Sequence, residues 1–220
     1  LALYGGIDSP IQLGSRSTYQ RALIGGIDGQ PIMVGNQLRC SDMRQPDYCE
    51  YKAEPWTYAD APVRVVLGPQ EGHFQNESIT QFLNSGFKVS TQIDRMGVRL
   101  EGHPLIHTSP AAADIVSDGV TPGAIQVPGN GHPIILLADC QTVGGYPKIA
   151  SVISADLPRL GQLRPGQTIS FQAVNLNVAK NALLEREAQW SKWASGIVFD
   201  VQDSSAFSND ISTVWTASEA

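Results

Sequence analysis

Charge and cysteine are both scarce in this chain. Only 16% of its 220 residues are charged, and it has three cysteines, Cys40, Cys49 and Cys140. So few thiols at such irregular spacing argue against a disulfide scaffold or a zinc cluster. Their odd number fits free thiols in a reducing compartment, which gives a cytoplasmic expectation. Basic residues are outnumbered, 15 Lys and Arg against 21 Asp and Glu, for a formal net charge of -6. Nucleic acid is therefore not the expected partner, since it selects a basic face. No apolar run approaches the roughly 20 residues of a membrane helix, and no charged-then-apolar leader opens the chain. A membrane is not expected as a partner either. The sequence starts at Leu1, inside what reads as a strand, so the expectation is the C-terminal portion of something longer.

Standard catalytic signatures are missing as well. There is no G-x-x-x-x-G-K-[ST] phosphate loop and no G-x-G-x-x-G before a helix. H-E-x-x-H and the G-x-S-x-G elbow are also absent, as is a Met-Lys-Met biotin-carrier sequence. His103 and His107 stand four apart, but Pro104 between them forbids a helical metal pair. No metal site is expected. Cys140 follows Asp139, whose charge would raise a thiol pKa and oppose thiolate formation. Cys140 reads as a small loop residue rather than a nucleophile.

What is present is punctuation. With 21 Gly and 14 Pro, the chain breaks into short β-rich runs at residues 62–67, 87–91, 97–100, 124–127, 134–137 and 168–174. Short runs between turn signals indicate an all-β barrel or sandwich rather than alternating βα units. The spacing predicts a helix over 76–84, with Asn76 as cap. A stronger one is expected near 178–194, with Ala179, Leu183, Arg186, Trp190 and Trp193 on one face. Another short helix is expected within 150–160, stopped near Pro158. An internal echo sets residues 2–8, ALYGGID, against 22–28, ALIGGID; two copies fall short of a solenoid. From Asp200 onward the polar composition reads as a loosely held tail.

Three polar clusters carry the candidate chemistry. Residues 14–18, GSRST, form a Gly-initiated turn that either holds an anion, with Arg16 as substrate contact, or caps its own backbone. In residues 94–102, DRMGVRLEG, an extended chain puts Arg95, Gly97, Arg99 and Glu101 on one side. Two arginine forks there suit a carboxylate or phosphate; the competing reading is an exposed Arg–Glu ladder of little energetic weight. The third cluster follows the apolar run 133–138, which delivers Asp139 into a loop of Gln141, Thr142, Gly144, Gly145 and Tyr146. Asp139 there suits a general base, and Gln141 and Thr142 suit an amide. Gly144 and Gly145 leave backbone N–H groups open to an oxyanion, with Tyr146 as a wall. A wide, self-bonded turn is the alternative.

Five ordered blocks then carry a resemblance: GSRST, VLGPQ (66–70), DRMGVRLEG, residues 122–150 and residues 153–167. Together they resemble the carboxyltransferase-domain, subdomain A and B family, which includes allophanate hydrolase subunit 2 and the C subunit of 5-oxoprolinase. The resemblance implies a mainly β fold: one or more cyclophilin-like β-barrels, a few short helices and a C-terminal helix. It divides the chain into a barrel region over 1–175, a helix over 176–195 and a polar tail over 196–220. It further implies a subunit of an ATP-dependent 5-oxoprolinase, a hydrolase opening 5-oxoproline to glutamate, with ATP at a composite site. Implied partners are a sister subunit of the subdomain C/D type, a lactam-utilisation protein and a small amide. The alternatives are a carboxyltransferase component of a biotin-dependent urea carboxylase system, with biotin supplied by a partner, and a non-catalytic regulatory partner of a kinase-inhibitor-like sister subunit. By resemblance Asp139, Gln141 and Arg95 are catalytic, and Arg16, Arg99, Glu101, Thr142, Gly144, Gly145 and Tyr146 bind substrate. The family's upstream Gln-Asp-x-Gly-Arg type motif is missing. Its Thr-Thr and Ser-Glu pairs are Thr142-Val143 and Ser117-Asp118 here.

Overall fold

The computed structural model describes residues 5–40, 50–52 and 54–200. Cys49, the first three residues of the earlier echo copy and the tail beyond 200 lie outside the described residues. Two units are present, one formed by Leu1–Lys52 with Ile197–Ala220 and one by Ala53–Gly196. Strands in chain order are β1 (Glu50–Lys52), β2 (Val63–Leu67), β3 (Phe87–Ile93), β4 (Gly97–Glu101), β5 (Asp118–Gly119) and β6 (Ala124–Gln126). They continue as β7 (Ile134–Leu136), β8 (Val143–Gly144), β9 (Lys148–Val152), β10 (Thr168–Ile169), β11 (Phe171–Ala173) and β12 (Val198–Asp200). Helices are α1 (Asn76–Asn84), α2 (Leu157–Leu160) and α3 (Leu176–Ser195).

The second unit is a near-closed eight-stranded barrel in the order β10-β3-β4-β7-β6-β9-β2-β11. Its two end strands are one piece of chain bent at Ser170. β10 pairs antiparallel with β3 and β11 parallel with β2, while the Ser170 carbonyl accepts from Val63 N at 2.8 Å. That bend lets a single segment satisfy both edges, which removes exposed ladder groups. The run expected at 168–174 is therefore two strands with different partners.

Alternation fills the interior. On β4, Val98 and Leu100 are buried while Arg99 and Glu101 are exposed, as a half-buried strand requires. Val65, Val89, Ile125, Ile135, Ile149 and Phe171 complete the core. Helix α1 turns Phe82 onto Phe171, with ring centroids 4.5 Å apart. Gln75, not Asn76, is the N-cap of α1, and it makes no side-chain cap bond. Residues 148–152 form a buried strand, so the short helix begins only at Leu157, where Pro158 sits in the first turn instead of stopping it. Proline's missing N–H costs nothing at that position.

Two further layers sit outside the barrel wall. Asp156, 2% exposed, takes the Arg64 guanidinium at 2.6 Å and 3.1 Å and the Arg64 N–H at 2.8 Å. Helix α3 packs Ala179 and Ala182 against Ile153 and Val174, capped by Asn175, whose Oδ1 accepts from Val178 N at 3.0 Å. Near its end Trp190 and Trp193 meet Trp56 edge-on, and Trp193 Nε1 donates to the Glu54 carbonyl at 2.6 Å. Of the residues expected on one face of α3, Ala179, Trp190 and Trp193 make these contacts, while its buried residue, Ala182, was not among them. Among the described residues no helix is long and apolar enough to cross a membrane.

In the first unit the described chain is mostly turns. β1 pairs antiparallel with β12, so residue 200 ends a strand where the tail was expected to start.

Candidate active site

The β3–β4 connection is a tight turn stapled by Asp94, whose Oδ1 accepts from Met96 N at 2.8 Å and Gly97 N at 3.1 Å. Aspartate suits such turns because its side chain mimics a backbone acceptor. The turn takes Arg95 out of the extended segment, which runs only from Gly97 to Glu101. Arg95 thus does not share a strand face with Arg99 and Glu101. It meets Asp139 instead. Arg95 Nε and Nη2 donate to the two carboxylate oxygens at 2.6 Å and 2.9 Å, and Asp139 N donates to the Arg95 carbonyl at 2.9 Å. Asp139 is thereby fixed at both its backbone and its carboxylate. Arg95 is 72% exposed and Asp139 24%. Chiefly through the Arg95 hydrogen bonds, the Asp139 carboxyl is held below its ordinary value of 3.8, so it is ionised at neutral pH.

Beyond Asp139 the chain enters a small ribbon. β8 pairs antiparallel with β5, Asp118 opposite Gly144 and Gly119 opposite Val143. Val120 N donates to the Thr142 carbonyl at 3.0 Å, and Ile115 N to the Gly145 carbonyl at 2.8 Å. The ribbon covers the outer face of β6 and β7, where Val120, Ala124 and Leu136 cluster with Ile134 and Cys140. This explains why the 134–137 run is apolar throughout: Ile135 faces the barrel core and Leu136 faces the ribbon cluster. Burial pushes the Cys140 thiol up, with Asp139 adding to the effect. Gln141 and Thr142 are exposed, Tyr146 is 41% exposed, and the Tyr146 carbonyl accepts from Gln126 Nε2 at 3.3 Å. Gly144 leaves no room for a Cβ, which would overlap that same Gln126 amide.

The structure therefore gathers Arg95, Asp139 and residues 141–146 around one loop. Arg99 and Glu101 are exposed on neighbouring β4. Arg16 belongs to the first unit, where its Nη1 donates to Asp8 Oδ1 at 3.1 Å and to the Ser9 carbonyl. Asp8 and Asp28 line a cavity of about 470 Å³ beside that turn.

One cluster escaped the sequence reading. Lys148, in β9, buries its side chain to 7% exposure, and its Nζ donates to Asp118 Oδ2 at 2.6 Å and to the Gly119 carbonyl at 3.2 Å. Gln70 bridges the pair, accepting from Lys148 N at 3.2 Å and donating to Asp118 Oδ2 at 3.3 Å. The available signal was a lysine opening the otherwise uncharged run KIASV, since lysine is rarely buried without a partner.

Residues 1–173 match the family described as the carboxyltransferase domain, subdomain A and B. The chain belongs to that family. It is 36% identical over 194 residues to the 5-oxoprolinase C subunit of Escherichia coli K12, covering 88% of this chain and 62% of that protein. Against the 5-oxoprolinase C subunit of Haemophilus influenzae it is 38% identical over 182 residues, covering 81% of this chain and 57% of that protein. The chain thus spans about three fifths of these relatives. Among solved structures it is similar to the Kluyveromyces lactis urea amidolyase, with a TM-score of 0.73 at 26% identity, over 90% of this chain and 14% of that one. The family is thus shared by the 5-oxoprolinase C subunits and the urea amidolyases and carboxylases.

Proposed function

We propose that this carboxyltransferase-domain chain holds a small amide while its nitrogen receives a carboxyl group. The observation that carries the reading is the fixed, ionised Asp139 at the root of a loop whose Gln141 and Thr142 face solvent. Amide nitrogen is a poor nucleophile, so a positioned acceptor for its proton contributes typically 10²–10⁴-fold. Asp139 is that acceptor, and Arg95 keeps it oriented. Gln141 and Thr142 hydrogen-bond the amide, the 144–145 backbone faces its carbonyl oxygen, and Tyr146 walls the site. Arg95 and Arg99 present exposed guanidinium groups for the incoming carboxylate. The carboxyl group would be carried by biotin on a partner; as its carbon bonds the amide nitrogen, its bond to the biotin nitrogen would break, and that nitrogen would take up the proton relayed by Asp139. Likeness to urea amidolyase supports this reading.

The second reading is a subunit of an ATP-dependent 5-oxoprolinase, favoured by the 36% and 38% identities to the 5-oxoprolinase C subunits. There the amide is the lactam of 5-oxoproline, ATP occupies a composite site, and a C/D-type sister subunit and a lactam-utilisation protein complete the enzyme. One assay separates the two. The full-length protein, assembled with its partners, is given urea with a biotinylated carrier and bicarbonate, or 5-oxoproline with ATP. Biotin-dependent carboxylation supports the first reading, and ATP-dependent glutamate release the second. Neither turnover from a complete assembly, with partner binding unaffected by Arg95→Ala and Asp139→Ala, would leave a regulatory role.

A further inference from the structure

Residues 142–146 owe their backbone hydrogen bonds largely to a segment that is not part of the barrel. Val120 and Ile115 donate to the carbonyls of Thr142 and Gly145, and β5 pairs with β8. A two-stranded ribbon of this size has little stability of its own. Its position over the barrel must come from what ties it down. One tie is the apolar contact of Val120 with Ala124 and Leu136. Such contacts are non-directional and do not set a register. The directional ties are Gln126 to the Tyr146 carbonyl and the Lys148 ammonium to Asp118 and Gly119. Gln70 locks the second tie by bonding the Lys148 backbone and the Asp118 carboxylate together.

We propose that Lys148, Gln70 and Asp118 form a catch that seats the β5–β8 ribbon on the barrel, and that they are positioning residues for the amide-reading loop. The proposal rests on the amide-handling reading of that loop and names what sets its geometry. A well-packed apolar side chain in place of Lys148 would be no less stabilising, because desolvating the ammonium offsets much of the ion-pair attraction. What the ammonium adds is direction: bonds of 2.6 Å and 3.2 Å to consecutive residues of β5 fix where that strand lies. β5 in turn fixes Gly144, its partner across the ribbon. The catch is also asymmetric. Asp118 is 53% exposed and Lys148 is 7% exposed, so an opened catch returns the carboxylate to water but leaves the ammonium without its partner. That favours the closed state.

The test joins two readouts on the full-length protein. Amide hydrogen exchange is followed in the wild type, Lys148→Met, Asp118→Asn and Lys148→Arg. The expected result is exchange faster by about tenfold or more across residues 115–120 and 141–147 in the first two variants. Amides of β3, β4 and β7 should be unchanged, and Lys148→Arg should restore part of the protection. In the assembled enzyme, KM for the amide should rise more than kcat falls. Unchanged ribbon exchange, or a uniform rise over the whole barrel, would overturn the catch. A loosened ribbon with an unaltered KM would overturn the positioning role. If the wild-type assembly turns over neither amide, the proposed function fails while the exchange data still decide the catch.

Discussion

At Arg95–Asp139 the cation is the exposed partner, 72% against 24%, whereas at Lys148–Asp118 it is the buried one, 7% against 53%. Both pairs frame the same loop, yet their burial is reversed. In the first, an exposed guanidinium reaches in from a turn and orients a partly shielded carboxylate, leaving much of its own surface for another anion. In the second, a lysine rooted in the barrel wall reaches up to a carboxylate on a peripheral ribbon. The lesson is that bond lengths alone do not assign a role. Which end of the pair is rooted, and which end water reaches, separates a group poised for a ligand from one poised for structure.

A third pair, buried at its acidic end, sharpens the contrast. Asp156 holds Arg64 through three hydrogen bonds. Asp156→Ala should cost about 1.5–3 kcal/mol, the worth of hydrogen bonds to a charged group, because the Arg64 left behind is 33% exposed and regains water. Chemical denaturation checks it, and a loss under about 1 kcal/mol would show the pair to be peripheral.

Within the catch, Asp118→Ala should lower the denaturation midpoint more than Lys148→Met. Truncating the aspartate strands a buried ammonium, whereas truncating the lysine strands only a hydrated carboxylate. Equal midpoints would break the asymmetry.

The paired glycines give a smaller contrast. A Cβ on Gly144 would displace the Gln126 amide from the Tyr146 carbonyl, whereas one on Gly145 meets nothing nearer than the Ile115 carbonyl at 3.6 Å. Gly144→Ala should therefore cost about 1 kcal/mol, the net worth of a buried hydrogen bond. Gly145→Ala should stay within roughly 0.5 kcal/mol.

Arg95→Ala and Asp139→Asn should also cost little stability, at most about 1 kcal/mol, because the pair is exposed at its cationic end. Both should nonetheless abolish most turnover in the assembly. Carboxyl NMR titration adds the matching pH test. Asp118 is held below 3.8 first by the Lys148 hydrogen bond and then by the Gly119 N–H, and Asp139 is held below it by Arg95. Their stabilisation is therefore complete above 3.8 and lost as pH falls through the lowered values. In Lys148→Met, Asp118 should titrate closer to 3.8 while Asp139 stays put.

Much of the barrel was legible because its strands obey local rules. GVRL alternates, FKVST and PVRVVL are β-branched runs between turns, and NESITQFLN carries a helical face; each lands within a few residues of its element. The short helix within 150–160 is there, but Pro158 opens it rather than stopping it, and the strand KIASV before it was not expected. Ribbon strands β5 and β8 failed because two-residue strands have no period to detect. At the site, Asp139 and Arg95 stood out as polar groups in turns, but their pairing did not, since the two lie 44 positions apart. Arg16 was visible as a motif, yet its guanidinium is engaged by Asp8 and Ser9.

By itself, the sequence determined that the chain is mainly β, where most barrel strands lie, and which loop carries amide-compatible groups. Alternation, turn chemistry and composition are local properties that do not wait for the fold. Tertiary structure alone decided that Ser170 bends one segment to serve both barrel edges, that Asp139 belongs to Arg95, and that Lys148 is buried under Asp118. Those depend on which distant segments pack together, and burial, not residue type, then sets whether a charge faces water or holds a strand in place.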